Sequence, residues 1–510
     1  MAIGSTVAEQ LLGLVVLGYM LVCIIMGIVH AGQVKNLRQF ALGYKKISTG
    51  VLVATIYATH IGAGATLGLI EQINNVGVAA ALIAFLSVAR WHISRVIFCN
   101  NVHRFSKCLG QAHIMEQLYG SFGFLVSEVV NIIGSIGFSA TQIMVIGLVT
   151  QYFLGFSAYI GILIGAIVVT VYAASGGIKA VILTDVVQAA LFGLVLLVVF
   201  FMSAHKMTHQ QDFWQLIPEH KAWLVPYDWH STLLVLGMTA YALVPSGFEA
   251  PFIQRILISG SDRQLQKAFS YTSIIDFFVV FTLAGFAIML IPDTGENNLD
   301  KVGILSIINN ATHPAVMIAV AVGIIAVTMS TADSWLNSGS VIVTHAIVRK
   351  YSNKVNDAGQ VRLARFVTIV MGGIAACITL MSSSILSLVL TVSCFESPLI
   401  LVPMAAGFLG YQFSERDYKC SVALAVLAVL AGAYMENEFG VISLFLGLVG
   451  SIIGLTWRKK WGLAWFSSLS NIRRPAYSQA SPRFLGVISL GLQEAEPDRA
   501  IATTPAVEGG

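Results

Sequence analysis

Charged residues are scarce in this sequence, where they fill 11% of the 510 positions, whereas hydrophobic residues fill 56%. A soluble protein carries roughly 25% charged residues. The polar side chains here are too few to cover a water-soluble globule of this length. The scarcity therefore excludes an ordinary soluble protein, and we predict an all-α protein that crosses the membrane many times.

Motifs of catalysis and metal binding are also missing from the sequence. The six cysteines stand singly, without the spacing of a zinc site or of a disulfide framework. No HExxH, GxSxG or phosphate-binding loop occurs, so we expect no enzyme. We also expect no nucleic-acid partner and no obligate protein partner, which leaves a small-molecule solute and the lipid bilayer.

The N-terminal apolar run lacks the basic residues that begin a cleavable signal peptide, since its first charge is Glu9. The run from 11 to 29 is long enough to span a bilayer, and we interpret it as a first transmembrane helix. Further runs of about one bilayer thickness follow. In all they predict thirteen spans, at 8–30, 48–70, 76–98, 122–150, 156–174, 178–203, 231–257, 267–292, 313–346, 362–383, 385–408, 419–435 and 438–457.

Basic residues are distributed unequally between alternate loops of this scheme. The loops after even-numbered spans hold only Lys206, Lys221 and Lys301, and most other lysines and arginines follow odd-numbered spans. By the positive-inside rule we predict that the N-terminus lies outside and the C-terminus in the cytoplasm, in the cell membrane. Residues 458–510 are predicted to form a disordered cytoplasmic tail, with a weak docking segment as the alternative.

Two predicted spans carry helix-breaking residues near their centres. The second contains YATHIGAGATLG, with His60 beside Gly62, and the seventh contains YALVPSGFEAP, with Pro245, Ser246 and Glu249. Proline removes a backbone donor, and glycine tolerates unwinding. Paired broken helices in two inverted halves indicate the central site of a transporter. The alternative is that the glycines only support close helix packing.

The ninth span is rich in polar side chains. Ser330 and Thr331 are adjacent, so their side chains lie about 100° apart around a helix and could line two sides of one ion. Hydroxyl and carbonyl oxygens suit a hard monovalent cation, whereas a divalent ion normally wants more carboxylates. Back-bonding of hydroxyls to the preceding turn would explain two or three of these residues. The whole set is Thr328, Ser330, Thr331, Asp333, Ser334, Asn337, Ser338 and Ser340.

Four segments together resemble the solute:sodium symporters, which include proline, pantothenate and sugar carriers. GGIKAVILTDVVQ is similar to that family's GG-x-x-AV-x-x-TD-x-x-Q signature, and MSTADSWLNSGSVIVTHAIV to its ninth helix. ATHIGAGATLG resembles the family's broken second helix, and FIQRILISGSDRQLQKAF its loop after the seventh helix. The resemblance covers roughly residues 8–457.

The resemblance implies the five-plus-five inverted repeat of the leucine-transporter type. Residues 1–47 would form the first helix and a cytoplasmic loop, 48–203 the first repeat and 231–408 the second. An extracellular loop would lie at 204–230, and spans twelve and thirteen at 409–457. The resemblance further implies a sodium site at the carbonyls of Ala58, Ile61 and Val327 and the hydroxyls of Ser330 and Thr331.

His60 departs from the family pattern, since the proline carrier has a carboxylate at the corresponding position. A neutral imidazole cannot supply that charge, and histidine can titrate near physiological pH. We therefore keep proton coupling as an alternative to sodium coupling. A packed histidine beside the helix break is the structural alternative.

Several acidic residues lie within predicted spans, where an unpaired carboxylate is costly. Asp185 and Gln188 lie one turn apart, and the resemblance implies a role for this aspartate in ion coupling or in the inner gate. The alternative is an ion pair with Lys179 or another base at the membrane face. Glu249 adjoins a break and could meet the amino group of a zwitterion, or else pair with a neighbouring helix. Four further acids have no evident partner: Glu128, Asp276, Asp333 and Glu396.

These observations predict a secondary active transporter that couples sodium to the uptake of a small organic solute by alternating access. Amino acids such as proline are the favoured solutes, ahead of monocarboxylates and sugars. A proton-coupled symporter and a transporter-like sensor are the alternatives, and the short tail without a kinase motif argues against the sensor. Discontinuous helices around one central site argue against a channel.

Overall fold

The computed structural model describes residues 7–31, 34–43, 47–99, 101–210, 212–222, 229–294, 314–351, 355–382 and 384–458. Within these ranges the regular structure is entirely helical, which confirms the predicted class. The longer α-helices are Val7–Ala31, Thr49–His60, Leu69–Val76, Val78–Leu86, Ala89–Phe98, Gln111–Leu154, Ala158–His209, Trp229–Leu243, Ala250–Ile258, Asp262–Thr294, Pro314–Tyr351, Asp357–Met381, Ile385–Glu396, Val402–Phe408, Glu415–Glu436 and Val441–Thr456. Two short helices are Leu37–Leu42 and Glu219–Ala222.

Each predicted span overlaps one or more of these helices, but the count of thirteen crossings stays a prediction. In the described part of the chain, eight helices are long and apolar enough to cross a membrane alone, and one bent pair makes nine. Shorter apolar helices add Gly13–Val29, Thr232–Leu243 and Val441–Thr456. The division into repeats at 48–203 and 231–408 likewise stays a prediction, and the predicted tail beyond Arg458 lies outside the described residues.

The helix Ala158–His209 contains a sharp turn at Gly177, where φ is +58°. This turn separates 158–176 from 178–209, close to the predicted boundary between the fifth and sixth spans. A side chain at Gly177 would be strained by the positive φ and would approach Phe40 to 3.0 Å. A similar turn at Gly120 divides Gln111–Leu154, whose first part was not predicted as helix.

The second span is broken, as the sequence predicts. Thr49–His60 and Gly64–Val76 are bent by 67° relative to each other. The chain leaves the helix at Ile61, where ψ is 92°, and continues as a π-helical turn over Gly64–Gly68. A Cβ at Gly62 would lie 2.8 Å from both Gln142 Oε1 and Thr331 Oγ1, so only glycine fits there without a shift.

The seventh span is also broken, between Trp229–Leu243 and Ala250–Ile258. Gly247 has φ of +120°, a conformation that side-chain-bearing residues rarely adopt. Its N–H donates to Glu249 Oε2 at 2.7 Å, and Pro251 lies in the first turn of the second half. Both predicted breaks are therefore confirmed, while their superposition as inverted equivalents stays a prediction.

The span at 385–408 contains a π-helical turn, which the sequence analysis did not predict. The α-helix Ile385–Glu396 passes into a π-helical turn, Ser397–Leu401, before Val402–Phe408. Pro398 has no N–H to donate to the preceding turn, which gives a physical reason for the interruption. The predicted span at 385–408 coincides with one apolar helix long enough to cross a membrane, Ile385–Phe408, and the proline near its centre was the signal for the π-helical turn.

The ninth span, Pro314–Tyr351, is the most deeply buried of the long helices and packs against both Gln111–Leu154 and Ala158–His209. Its polar side chains consequently face other helices. Large apolar side chains cover the outside of the bundle instead, as expected where lipid is the solvent. Examples are Leu163, Phe201, Phe278 and Phe366.

Candidate functional site

Backbone and hydroxyl oxygens converge where the break of the second span meets the ninth span. Ser330 Oγ lies 3.2 Å from the carbonyl oxygen of Ala58. Thr331 Oγ1 lies 3.3 Å from the carbonyl oxygens of both Ala58 and Ile61. We call these four oxygens, with the carbonyl of Val327, the ion cage. Val327 is buried one turn before Thr331, and the role of its carbonyl stays a prediction.

The two hydroxyls hydrogen-bond to these carbonyls, the ligands of a cation of the size of sodium would have a similar spacing, and the sodium site itself stays a prediction. Oxygen ligands surround Ca²⁺, an ion of nearly the same radius, at about 2.3–2.6 Å. Two such ligands at right angles therefore lie about 3.4 Å apart, close to the 3.2–3.3 Å separations observed here. None of the five residues contributes a carboxylate, which favours a monovalent ion over a divalent one.

Asp185 lies directly behind the ion cage and is fully buried. Its Oδ1 accepts a hydrogen bond from Ser330 Oγ at 2.5 Å, and its Oδ2 accepts one from Thr55 Oγ1 at 2.5 Å. A Ser330 hydroxyl that donates its proton to Asp185 keeps its lone pairs free for a cation. Asp185 therefore holds the Ser330 hydroxyl by a hydrogen bond, and its role in ion coupling stays a prediction.

Arg255 is the basic partner of Asp185, and the sequence analysis missed this role because it counted Arg255 among the loop residues. Its Nη2 lies 3.4 Å from Asp185 Oδ2, and both side chains are fully buried. The same guanidinium donates to Ser334 Oγ at 2.6 Å, Thr55 Oγ1 at 3.3 Å and the carbonyl of Pro251 at 3.1 Å. Of the alternative predicted for Asp185, a pair with Lys179 or another base at the membrane face, the structure shows a pair with another base, and that base is fully buried. Arg255 already lay within the predicted span 231–257, which was the available signal.

Gln188 does not join this cluster, although it lies one turn from Asp185. Its Nε2 donates to Tyr19 OH on the first span at 2.9 Å. Asp333, on the ninth span, accepts a hydrogen bond from Ser334 Oγ at 3.3 Å. Gln188 and Asp185 thus lie one turn apart on the same helix but have different hydrogen-bond partners.

A cavity of about 190 Å³ lies beside the ion cage. Ile61, Gly62 and Thr331 belong to its wall, so the cavity and the cage share backbone and side chains. Both breaks contribute to the lining, through Gly62 and Ser246, and so does the π-helical turn, through Ser397. Its charged and larger polar lining residues include His60, Arg90, Gln142, Glu249, Asp276 and Glu396.

His60 lies at the wall of this cavity among aromatic rings. Its ring centroid is 5.0 Å from that of Trp91, edge to face, and 6.3 Å from that of Phe252. The side chain is half-buried, and it faces the cavity, whereas the carbonyls on either side of it face the ion cage. The structure thus places the His60 side chain at the wall of the cavity rather than among the oxygens of the ion cage.

Gln142 holds the break of the second span open, a role that the sequence analysis did not identify. Its Oε1 accepts the N–H of Ala63 at 2.8 Å, which the unwound helix leaves without an intrahelical partner. At the other break, Ser246 lines the cavity and Pro245 is buried behind it. Glu128 is half-buried and does not line the cavity.

The model of one protein family matches residues 40–408, and its description is the sodium:solute symporter family. No curated protein matches the sequence significantly. Among solved structures, a substrate-bound, outward-open Na⁺-coupled sialic acid symporter is similar with a TM-score of 0.72, at 16% identity over 88% of this chain and 98% of that chain. MhsT in complex with L-phenylalanine is similar with a TM-score of 0.51, at 15% identity over 81% and 98%. These likenesses show the leucine-transporter fold.

Proposed function

Because the chain belongs to the sodium:solute symporter family, we propose that it takes up a small organic solute bearing an amino group, with amino acids such as proline as first candidates. Sodium-coupled solute transport by an integral membrane protein, rather than enzyme chemistry, follows from the family and the fold. The solute class, the cell membrane as its location and an outside N-terminus are parts of the proposal.

The observation that carries the proposal is the contact between the ion cage and the cavity. The Thr331 hydroxyl belongs to the ion cage, and Thr331 also lines the cavity. Likewise, the carbonyl of Ile61 belongs to the cage, and Ile61 and Gly62 line the cavity. A cation that orders this break also orders the wall that meets the solute. Such shared elements make the two binding events favour each other, and the coupling is reciprocal.

The lining of the cavity supports a small solute with an apolar body and an amino group. About 190 Å³ is room for roughly a dozen water-sized groups, at about 10–15 Å³ each. The rings of Phe138 and Trp335 stack at 4.4 Å and line one part of the wall. Glu249 lines another part, where its carboxylate can meet an ammonium group.

The function is tested by uptake into proteoliposomes of radiolabelled amino acids, sugars and monocarboxylates, with an inward sodium gradient or with potassium in its place. We expect accumulation of an amine-bearing solute only with sodium. The same assay under an inward proton gradient without sodium examines the alternative ion. Robust accumulation there, abolished in His60→Gln, would replace sodium by protons as the coupling ion, and no sodium-driven uptake of any solute would refute the proposal.

A methyl group at Gly62 is expected to weaken the binding of both sodium and the solute. In Gly62→Ala the new Cβ would lie 2.8 Å from Thr331 Oγ1 and Gln142 Oε1, and must displace one of them. We expect a loss of about 1–3 kcal/mol of stability from overpacking and a rise in the sodium concentration for half-maximal uptake. Gly50→Ala is the matched control, since a Cβ at Gly50 meets no atom within 4 Å. Equal sodium dependence in both variants would contradict the assigned geometry.

A further inference from the structure

The cavity beside the ion cage is unbalanced in charge. Three carboxyl groups line it, from Glu249 at the break of the seventh span, Glu396 just before the π-helical turn at 397–401 and Asp276 in the helix Asp262–Thr294. Among the described lining residues, Arg90 is the one arginine or lysine. A carboxylate in a membrane interior is costly without a counter-charge. Three carboxyl groups beside one arginine therefore leave the cavity lining short of positive charge.

The Arg90 side chain also hydrogen-bonds to backbone carbonyls of the protein. Its Nε donates to the carbonyl oxygens of Ser87 at 3.1 Å and of Ala242 at 3.2 Å. Ala242 lies in the last turn of the first half of the broken seventh span, where carbonyls have lost their helical partners. Arg90 therefore holds the break as well as facing the cavity, and it cannot neutralise three acids.

Glu396 is the acid most clearly in need of a partner. It is 1% exposed, and its Oε1 has no hydrogen-bond partner in the described part of the chain. A Cβ at Gly134 would lie 3.3 Å from the ring of Trp335 and 3.6 Å from the Glu396 carboxyl, so both groups lie beside the same glycine, and both line the cavity. A carboxylate beside an indole ring is a suitable place for an organic cation, which is attracted by both.

We infer that the solute carries a net positive charge, as an organic amine or guanidinium compound, and that its cationic group binds between Glu396 and Trp335. A zwitterion such as proline brings one positive and one negative charge, and leaves the excess of carboxyl groups unchanged. A solute with a net charge of +1 removes one charge of that excess. The inference rests on the proposed function and narrows its solute class to amine or guanidinium compounds of net positive charge, which places cationic solutes such as arginine ahead of proline.

Matched solute pairs that differ in charge test the inference on the unaltered protein. Sodium-driven uptake of radiolabelled L-arginine is compared with that of L-citrulline, which has nearly the same shape without the guanidinium charge, and agmatine is compared with L-proline. We expect the cation of each pair to be taken up at least tenfold better. Sodium-driven uptake confined to neutral, zwitterionic or anionic solutes would overturn the inference and leave the proposed function standing. Absence of sodium-driven uptake for every solute would overturn both.

The position of the cationic group is tested by Glu396→Gln, which removes the charge and keeps the shape. The apparent KM for the cation is expected to rise about ten- to a hundredfold, the range for a lost hydrogen bond to a charged group, with the sodium dependence retained. Glu128→Gln is the control, as a half-buried acid outside the cavity. An unchanged KM in Glu396→Gln would overturn the assignment. If Glu396→Gln fails to fold, the apparent KM for the cation is measured in Glu396→Asp instead, which keeps the charge but shortens the side chain.

Discussion

Arg255→Leu is expected to lower the free energy of unfolding by about 3–5 kcal/mol and to abolish sodium-driven uptake. The cost is that of leaving one member of a buried ion pair without its partner. Here the abandoned group is Asp185, which is fully buried and lies 3.4 Å from the guanidinium. Ser334 and the carbonyl of Pro251 would also lose their donor. Chemical unfolding in detergent without sodium measures the stability, and proteoliposome uptake measures the function.

The double variant Asp185→Asn with Arg255→Leu separates stability from function. Removing both charges is expected to recover much of the lost stability, because no unpaired charge remains buried. Uptake should stay impaired, since an amide orients the Ser330 hydroxyl less strongly than a carboxylate does. Arg349→Ala is the control, because its ion pair with Glu116 at 2.8 Å is about one-third exposed and such pairs contribute about 0–1 kcal/mol. An Arg255→Leu protein as stable as the control would contradict the assigned role of the pair.

The breaks in the second and seventh spans could be predicted from the sequence because their causes are local. Glycine and proline change what the backbone can do at their own positions, whatever packs around them. The pair Ser330 and Thr331 was also visible, since hydroxyls in an apolar helix stand out. The structure brings both side chains to the carbonyl of Ala58 across some 270 residues of sequence, which the family resemblance implied and spacing alone did not.

The partners of buried charges could not be predicted because they are set by packing. Arg255 reaches Asp185 across a separation of 70 residues and Thr55 across 200, and a basic residue near a span end is equally consistent with a loop. The sequence does not indicate that Glu396 and Glu249 line the same cavity, because their helices come together only in the folded bundle. The π-helical turn after Glu396 could nevertheless have been predicted, since Pro398 stands in the middle of its span.

Ser330→Ala and Thr331→Ala are each expected to raise the sodium concentration for half-maximal uptake about ten- to a hundredfold. Each substitution removes one oxygen from the ion cage, and a hydrogen bond or ligand to a charged group contributes about 1.5–3 kcal/mol. The two variants should differ in stability. Ser330 also donates to the buried Asp185 at 2.5 Å, so its loss leaves that carboxylate with one donor fewer, whereas the hydrogen-bond partners of the Thr331 hydroxyl among the described residues are carbonyls.

Ser340→Ala is the matched control for both substitutions, because it removes a fully buried hydroxyl from the same helix. Ser340 Oγ donates only to the carbonyl of Asn337, within its own helix, at 2.9 Å. Its removal therefore changes no oxygen of the ion cage and should leave the sodium dependence of uptake unaltered. Uptake is measured against sodium concentration at equal protein abundance. Sodium curves for Ser330→Ala and Thr331→Ala that coincide with that of Ser340→Ala would show that the ion binds elsewhere, since a cage that loses a fifth of its ligands cannot keep its affinity.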